Sequence, residues 1–367
     1  MKLVHFADLH LDTQFGAVGM TERGASARRQ ALRDALVQIV DLARQVNADA
    51  LLCAGDLYEH ERCSPDTAAF LHATFADCQP LPVYIAPGNH DWLEPSSVYE
   101  RTTWSPNVHI FRSTALEPIT LADGLTLWGA AHCAPANTPG FLEHFRVDRG
   151  GVHIALFHGA EQGWAPTSEE AAPHAPFREQ QIEVAGIHHA FIGHYHAPRH
   201  AKRYTYPGNP APLVFGEDGE RGAVVSTIQS DGTVLREHHR VTSIEVHDLV
   251  VDVTGCTSQQ DVRTRLSSVT RGLRGYARVT VSGELAPDVD LRTHHLTDAA
   301  PALDALVVRV GDIRVGYDIE TICSEPTVRG QFVCDVLAAP GLTAEQSRRV
   351  LQTGLRALDG RSDLEIL

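Results

Sequence analysis

The chain has 367 residues and a formal net charge of −15, with 43% hydrophobic and 21% charged residues. At about 150 residues per domain it has room for two or three domains with sizeable cores, and its composition excludes a mostly disordered chain. The acidic balance gives no electrostatic reason to expect a histone-like or membrane-surface protein, so a polyanion would have to meet a local positive site such as bound metal ions.

The strand-like opening Met1–Asp8 has no signal-peptide layout ahead of it, and no uncharged apolar run reaches the ~18 residues of a membrane-spanning helix. The seven cysteines (53, 63, 78, 133, 256, 323 and 334) are odd in number, scattered and never spaced as CxxC. That argues against a secreted disulfide framework or a zinc ribbon and fits a reducing cytoplasm. The 21 histidines are the unusual feature. Histidine is the commonest transition-metal ligand, so their grouping matters.

Along the chain, Leu3–Ala7 reads as a strand, and Ser26–Val46 carries apolar residues at helical spacing (Leu32, Ala35, Leu36, Ile39, Val40, Ala43). Ala48–Ala54 is a second apolar run, Pro65–Ala76 is helix-like, and Pro82–Ala86 is a third run closed by Pro87-Gly88. This alternation implies βαβ units in a largely parallel, buried sheet. Further strands are expected at Leu125–Ala130, Val152–Phe157 and Ala190–Gly193. A hairpin is expected for Ala223–Ile228 and Val234–His239 across Ser230-Asp231-Gly232. From about residue 243 the pattern becomes a small α+β module: strands at Ile244–Val253, Ala277–Val281 and Ala305–Val310, and helices at Ser258–Val269 and Thr343–Leu358. The expected domains are therefore 1–242 and 243–367.

Five short motifs stand where apolar runs end: Asp8-Leu9-His10, Gly55-Asp56, Gly88-Asn89-His90-Asp91, His158-Gly159 and Gly193-His194-Tyr195-His196. In open parallel sheets the carboxyl ends of strands form the ligand crevice, so these residues should converge. Singly, each has an ordinary structural explanation as a cap, turn or core histidine. Together they form a mixed carboxylate, amide and imidazole set suited to divalent ions, too rich for one ion. A bridging carboxylate could hold a pair roughly 3.5–4 Å apart, able to clamp a phosphate.

This order of motifs resembles the calcineurin-like metallophosphoesterase superfamily. Within it, Ala7–Asp12 and Tyr206-Pro-Gly-Asn-Pro210 are similar to the bacterial DNA repair exonucleases of the SbcD and YhaO type. The resemblance covers residues 1–240 well and the rest more weakly, as a small capping domain. It implies an α/β fold, a β-sandwich flanked by helices. It also implies two divalent ions, manganese first, with iron, zinc or magnesium as alternatives. One ion falls to Asp8, His10, Asp56 and His196, the other to Asp56, Asn89, His158 and His194. His90 is the family's non-ligand histidine, placed to stabilise charge on the scissile phosphate or protonate the leaving oxygen.

Where archaeal and eukaryotic repair nucleases of the family carry a histidine three residues after the bridging aspartate, this chain has Glu59. Protein phosphatases of the superfamily have an acidic residue at that offset, paired with the catalytic histidine. Glu59 therefore reads either as a carboxylate orienting His90 or as a solvated loop residue beside His60 and Glu61. Asp12 is placed as a cap near the first motif. Tyr195, Tyr206, Trp92 and Trp164, close to ligand loops, read either as packing or as surfaces for a base or phosphate. His188-His189 and His238-His239 read as structural. The implied function is a two-metal DNA exonuclease. A phosphatase or cyclic phosphodiesterase, and a scaffold for an SbcC-like ATPase, remain as alternatives. DNA and that ATPase are the expected partners, a homodimer is left open, and a membrane is not expected.

Overall fold

The computed structural model describes residues 1–16, 20–164, 174–217, 219–289 and 291–360. The chain divides into two compact units, one of Met1–Gly16 with Glu22–Ile244 and one continuing from Glu245.

In chain order the first unit holds β1 (Lys2–Phe6), α1 (Glu22–Gln45), β2 (Ala50–Cys53), α2 (Pro65–Asp77), β3 (Val83–Ile85), α3 (Val98–Arg101), β4 (Val108–Ile110), β5 (Glu117–Ala122) and β6 (Leu125–Gly129). It continues through β7 (Val152–His158), α4 (Glu179–Val184), β8 (His189–Gly193), β9 (Arg199–His200), β10 (Tyr204–Tyr206), β11 (Gly222–Ile228) and β12 (Val234–Arg240). The strands form two six-stranded sheets, ordered β12-β11-β1-β2-β3-β4 and β5-β6-β7-β8-β10-β9. β1 to β4 are mutually parallel, as are β6, β7, β8 and β10, while the hairpin β11–β12 joins β1 antiparallel. The two largely parallel sheets are the helix-flanked β-sandwich that the resemblance implies, while the alternating pattern alone gives a largely parallel sheet without dividing it in two. Periodicity reports that a strand is buried on both faces, not which sheet it joins.

Leu3, Ala7, Ala50 and Leu52 from the first sheet cluster with Leu127, Ile154, Leu156 and Phe191 from the second, forming the layer between them. The alternate residues Val4, Phe6, Leu51 and Cys53 face Leu32, Leu36, Ile39 and Val40 of α1. Burial on both faces explains the unbroken apolar runs of these strands. At α2, Ser64 caps the helix by accepting from Thr67 N at 3.1 Å, with Pro65 in the first turn. Asp12 fastens this cap, accepting from Ser64 N at 2.8 Å and Thr67 Oγ1 at 2.9 Å.

The second unit contains β13 (Val246–Asp252), α5 (Gln259–Val269), β14 (Tyr276–Leu285), β15 (Ala305–Val315), α6 (Ile319–Cys323), α7 (Val328–Ala338) and α8 (Ala344–Leu358). Its three strands form one parallel sheet, whose Val279, Val281 and Leu306 pack with Val262 and Leu266 of α5. A separate small cluster of Ile322, Val333, Leu351 and Leu355 joins α6, α7 and α8. Cys323 and Cys334 are joined by a disulfide tying α6 to α7, a pairing that the scattered cysteine spacing does not signal. Among the described residues no helix is long and apolar enough to cross a membrane.

Candidate metal centre

The five motifs lie at the carboxyl ends of β1, β2, β3, β7 and β8, three strands from one sheet and two from the other. Backbone bonds knit their loops together: Asp8 N donates to Gly55 O at 3.0 Å and His10 N to Asp56 O at 2.9 Å. Across the two sheets, the Asp8 carboxylate accepts from His194 N at 3.0 Å. Asp91 clamps the loops after β2 and β3, accepting from Asp56 N, Leu57 N and Gly88 N at 3.1, 2.7 and 2.6 Å and from the Tyr99 hydroxyl.

Asp8, His10, Asp56 and His194 all have positive φ (55°, 50°, 52° and 121°). Non-glycine residues held there cost on the order of 1–3 kcal/mol each and persist where the surroundings over-determine them, commonly at functional sites. Two glycines make the close approach possible. A Cβ on Gly88 would collide with Asp56 Oδ1, and one on Gly55 (φ 87°) would sit 2.7 Å from Gly88 N and 2.8 Å from His158 Nδ1.

Three groups of ligand atoms gather within 4.8 Å of one another: those of Asp8, His10 and His196; of Asp8, Asp56 and His158; and of His10, Asp56 and His90. Asp56 Oδ2 lies 3.2 Å from His158 Nε2 and 3.6 Å from His10 Nε2, while the His158 and His194 rings are 5.2 Å apart. Asn89 is buried beside them. The buried atoms His10 Nε2, Asn89 Oδ1, His158 Nε2 and His194 Nε2 have no hydrogen-bond partner. The opposite ring nitrogens of two of these histidines are held, His10 Nδ1 on Glu59 Oε1 at 2.8 Å and His158 Nδ1 on Ala54 O at 2.8 Å, and His196 is likewise tied through Nδ1 to Glu217 Oε1 at 2.7 Å. One nitrogen fixed by an acceptor and the other left without one is how ligating imidazoles are oriented. Orphaned buried polar atoms cost about 1–3 kcal/mol each, so this donor set fits divalent cations.

The electrostatics agree. Burial pushes the Asp8 carboxyl up to about 7 against the pull of His158 and His196. Burial would also raise Asp56, but His158, His90 and His10 outweigh it and hold its carboxyl well below the usual range. Burial would lower His90, yet the Glu59 bond and the Asp56 charge raise it to about 9.

Glu59 is partly buried and engaged on both oxygens: besides His10 it reaches His90 Nδ1 with Oε2 at 3.2 Å, so one carboxylate spans a candidate ligand and the candidate acid. Several supporting groups have no signature in the sequence. Glu217 holds His196, Asn209 Nδ2 and Leu213 N, and is itself held down to about 2, burial being outweighed by His196 and these hydrogen bonds. Arg221 donates to the His196 carbonyl. His132 is buried with Nε2 2.8 Å from the His158 carbonyl. Tyr195 and Tyr206 are buried packing residues, and the Tyr206 hydroxyl pins the loop after His158 by donating to Gly159 O at 2.6 Å. His189 is buried against Thr205, and His238 and His239 lie in β12.

Carboxylate, amide and imidazole donors converging at strand ends of two stacked, helix-flanked sheets define the class: a metal-binding phosphoesterase scaffold. The model of the calcineurin-like phosphoesterase family matches residues 1–198, more than half the chain, and the chain belongs to that family. It is 27% identical over 267 residues to the uncharacterized metallophosphoesterase YhaO of Bacillus subtilis (strain 168), covering 69% of this chain and 64% of that protein. It is 26% identical over 304 residues to the DNA double-strand break repair protein Mre11 of Methanopyrus kandleri, covering 72% and 62%. The chain therefore spans less than two thirds of the length of these two relatives. Among solved structures, TT1561 of Thermus thermophilus matches 65% of this chain and 98% of its own at 14% identity, with a TM-score of 0.37.

Proposed function

We propose that the protein is a two-metal phosphodiesterase acting on DNA ends. Asp8, His10, Asp56 and His196 would hold one divalent ion, and Asp56, Asn89, His158 and His194 the other, with Asp56 shared. When bound, such a pair supplies Lewis acidity and a water of lowered pKa. Manganese suits the mixed oxygen and nitrogen donors.

The chain's own contribution centres on His90. Its side chain is 46% exposed while its Nδ1 is tied to Glu59, which leaves Nε2 as the nitrogen able to meet substrate. Glu59 stabilises the imidazolium, so a proton is held at Nε2 for the leaving oxygen. Asp91 and Gly88 keep the loop carrying His90 against Asp56, whose Oδ1 accepts from His90 N at 2.8 Å. The observation that carries this reading is the pair of imidazoles, His10 and His158, each anchored through Nδ1 and each with a buried Nε2 that has no hydrogen-bond partner. Similarity to the Mre11 protein, together with the Tyr206–Pro210 loop, supports DNA as substrate. The SbcC-like ATPase partner, and a DNA-positioning role for the second unit, belong to the same proposal.

The net charge of −15 favours the second reading, a small-molecule phosphodiesterase. Purified protein with Mn²⁺ is to be assayed on end-labelled DNA, bis-p-nitrophenyl phosphate and cyclic nucleotides. Shortening of the DNA is expected. Turnover of small diesters without any cutting of DNA would give the site to the second reading.

A further inference from the structure

Trp92 lies two residues beyond His90, between the buried clamp Asp91 and Leu93, whose N donates to His132 O at 2.8 Å. It is partly exposed and belongs to none of the hydrophobic clusters. Its ring stacks instead on His60, with centroids 4.2 Å apart and planes 30° apart. His60 lies near-parallel to the fully buried Tyr58 at 6.4 Å. Three rings thus run from buried Tyr58 through His60 to partly exposed Trp92.

The assembly is rooted in the core at Tyr58 and tied at its outer end to the loop that carries His90. His60 N donates to His90 O at 2.9 Å, His60 Nε2 lies 2.8 Å from Glu94 Oε1, and Glu94 also accepts from Ser96. An indole backed by a ring that is itself held by a carboxylate is preorganised, so a planar ligand would stack at little further entropic cost. Trp92 stands two residues after His90 on the same loop, a partly exposed ring available to the group next to a phosphodiester seated at His90. Every nucleobase offers a π-face to such a ring.

We propose that Trp92, backed by a His60 ring that Glu94 holds in place, is a specificity residue that stacks the nucleobase next to the scissile phosphate. This rests on the phosphodiesterase reading above and goes beyond it by naming what the site grips besides phosphate.

The test uses the full chain and two oligonucleotides that differ only in whether the terminal nucleotide carries its base or is abasic. Both affinity, by fluorescence anisotropy, and cleavage rate with Mn²⁺ are measured. The unaltered protein should prefer the base-bearing twin by on the order of 10–100-fold, the range of one base–aromatic stack. Trp92→Ala should lose that preference while metal content stays unchanged, and Trp92→Phe should retain most of it. The same base-to-abasic ratio in Trp92→Ala as in the unaltered protein would overturn the proposal, as would equal binding of both twins by the unaltered protein. Binding with the expected preference but no cleavage, alongside turnover of bis-p-nitrophenyl phosphate, would remove the DNA nuclease reading and leave the stacking shelf standing.

Discussion

The two units differ in the polar groups they bury: the buried carboxylates and imidazoles among the described residues all lie in the first. Between Met1 and Ile244 the buried set includes Asp8, His10, Asp56, Asn89, Asp91, His132 and His158, several with orphaned atoms. From Glu245 on, the buried polar side chains among the described residues are Thr270 and Arg356, each donating to a backbone carbonyl, of Leu266 and Pro287 respectively. Backbone strain divides the same way: every described non-glycine residue with positive φ lies before residue 176 or at His194. A fold whose local preferences agree has no need of such groups, and departures gather where a ligand is to be held. The first unit is therefore organised around a site, and the second around its own small cores.

The sharpest way to break this contrast is to remove the shared carboxylate. Asp56→Asn should abolish hydrolysis and lower metal content at both positions, measured by elemental analysis and turnover. Two metals at full occupancy in this variant would refute the bridging role. His90→Ala should keep both metals and lose on the order of 10²–10⁴ in turnover, the usual worth of a positioned acid–base group. Metal loss in this variant would make His90 a ligand instead.

Smaller effects should follow from the carboxylates behind the ligands. Glu59→Gln and Glu217→Gln should each cost roughly 10–100-fold, the range for partners of metal-bound histidines. Glu59→Gln should lower both metal affinity and turnover, because Glu59 touches His10 and His90. Glu217→Gln should act through metal affinity alone, since it reaches only His196 among these residues. Full activity of Glu59→Gln would return Glu59 to a bystander role. In the second unit, Asp248 pairs with Arg278 on a partly exposed face of the sheet. Asp248→Asn should shift stability by less than about 1 kcal/mol by denaturant titration and leave metal binding untouched. A loss of metals there would break the contrast between the units.

Much of this was legible in the chain itself. β1, β2, β3, β7 and β8 show as apolar runs because helices cover one face and the opposing sheet the other. The ligands show because strand ends must place them within a few residues of each run. The helix expected over Thr343–Leu358 showed through the polar face of Ser347, Arg348 and Arg349, and the structure places it at Ala344–Leu358 with Thr343 as its cap. What stayed hidden depends on contacts distant in sequence. Glu217 reaches His196 from 21 residues away, and His132 reaches the His158 carbonyl from 26. Neither spacing differs from that of any loop residue. The strands β4 and β10 have three residues each, too short for a period to register. The Cys323–Cys334 bridge was masked by five further cysteines that remain free. Glu59 stood in a recognisable place, but only the fold shows that its two oxygens serve two histidines.

Crystals of the full chain grown with Mn²⁺ and measured at the manganese absorption edge test the central claim most directly. The account predicts two anomalous peaks roughly 3.5–4 Å apart, with the Asp56 carboxylate touching both, Asp8, His10 and His196 around one, and Asn89, His158 and His194 around the other. A single peak, or two peaks of which Asp56 contacts only one, would contradict it.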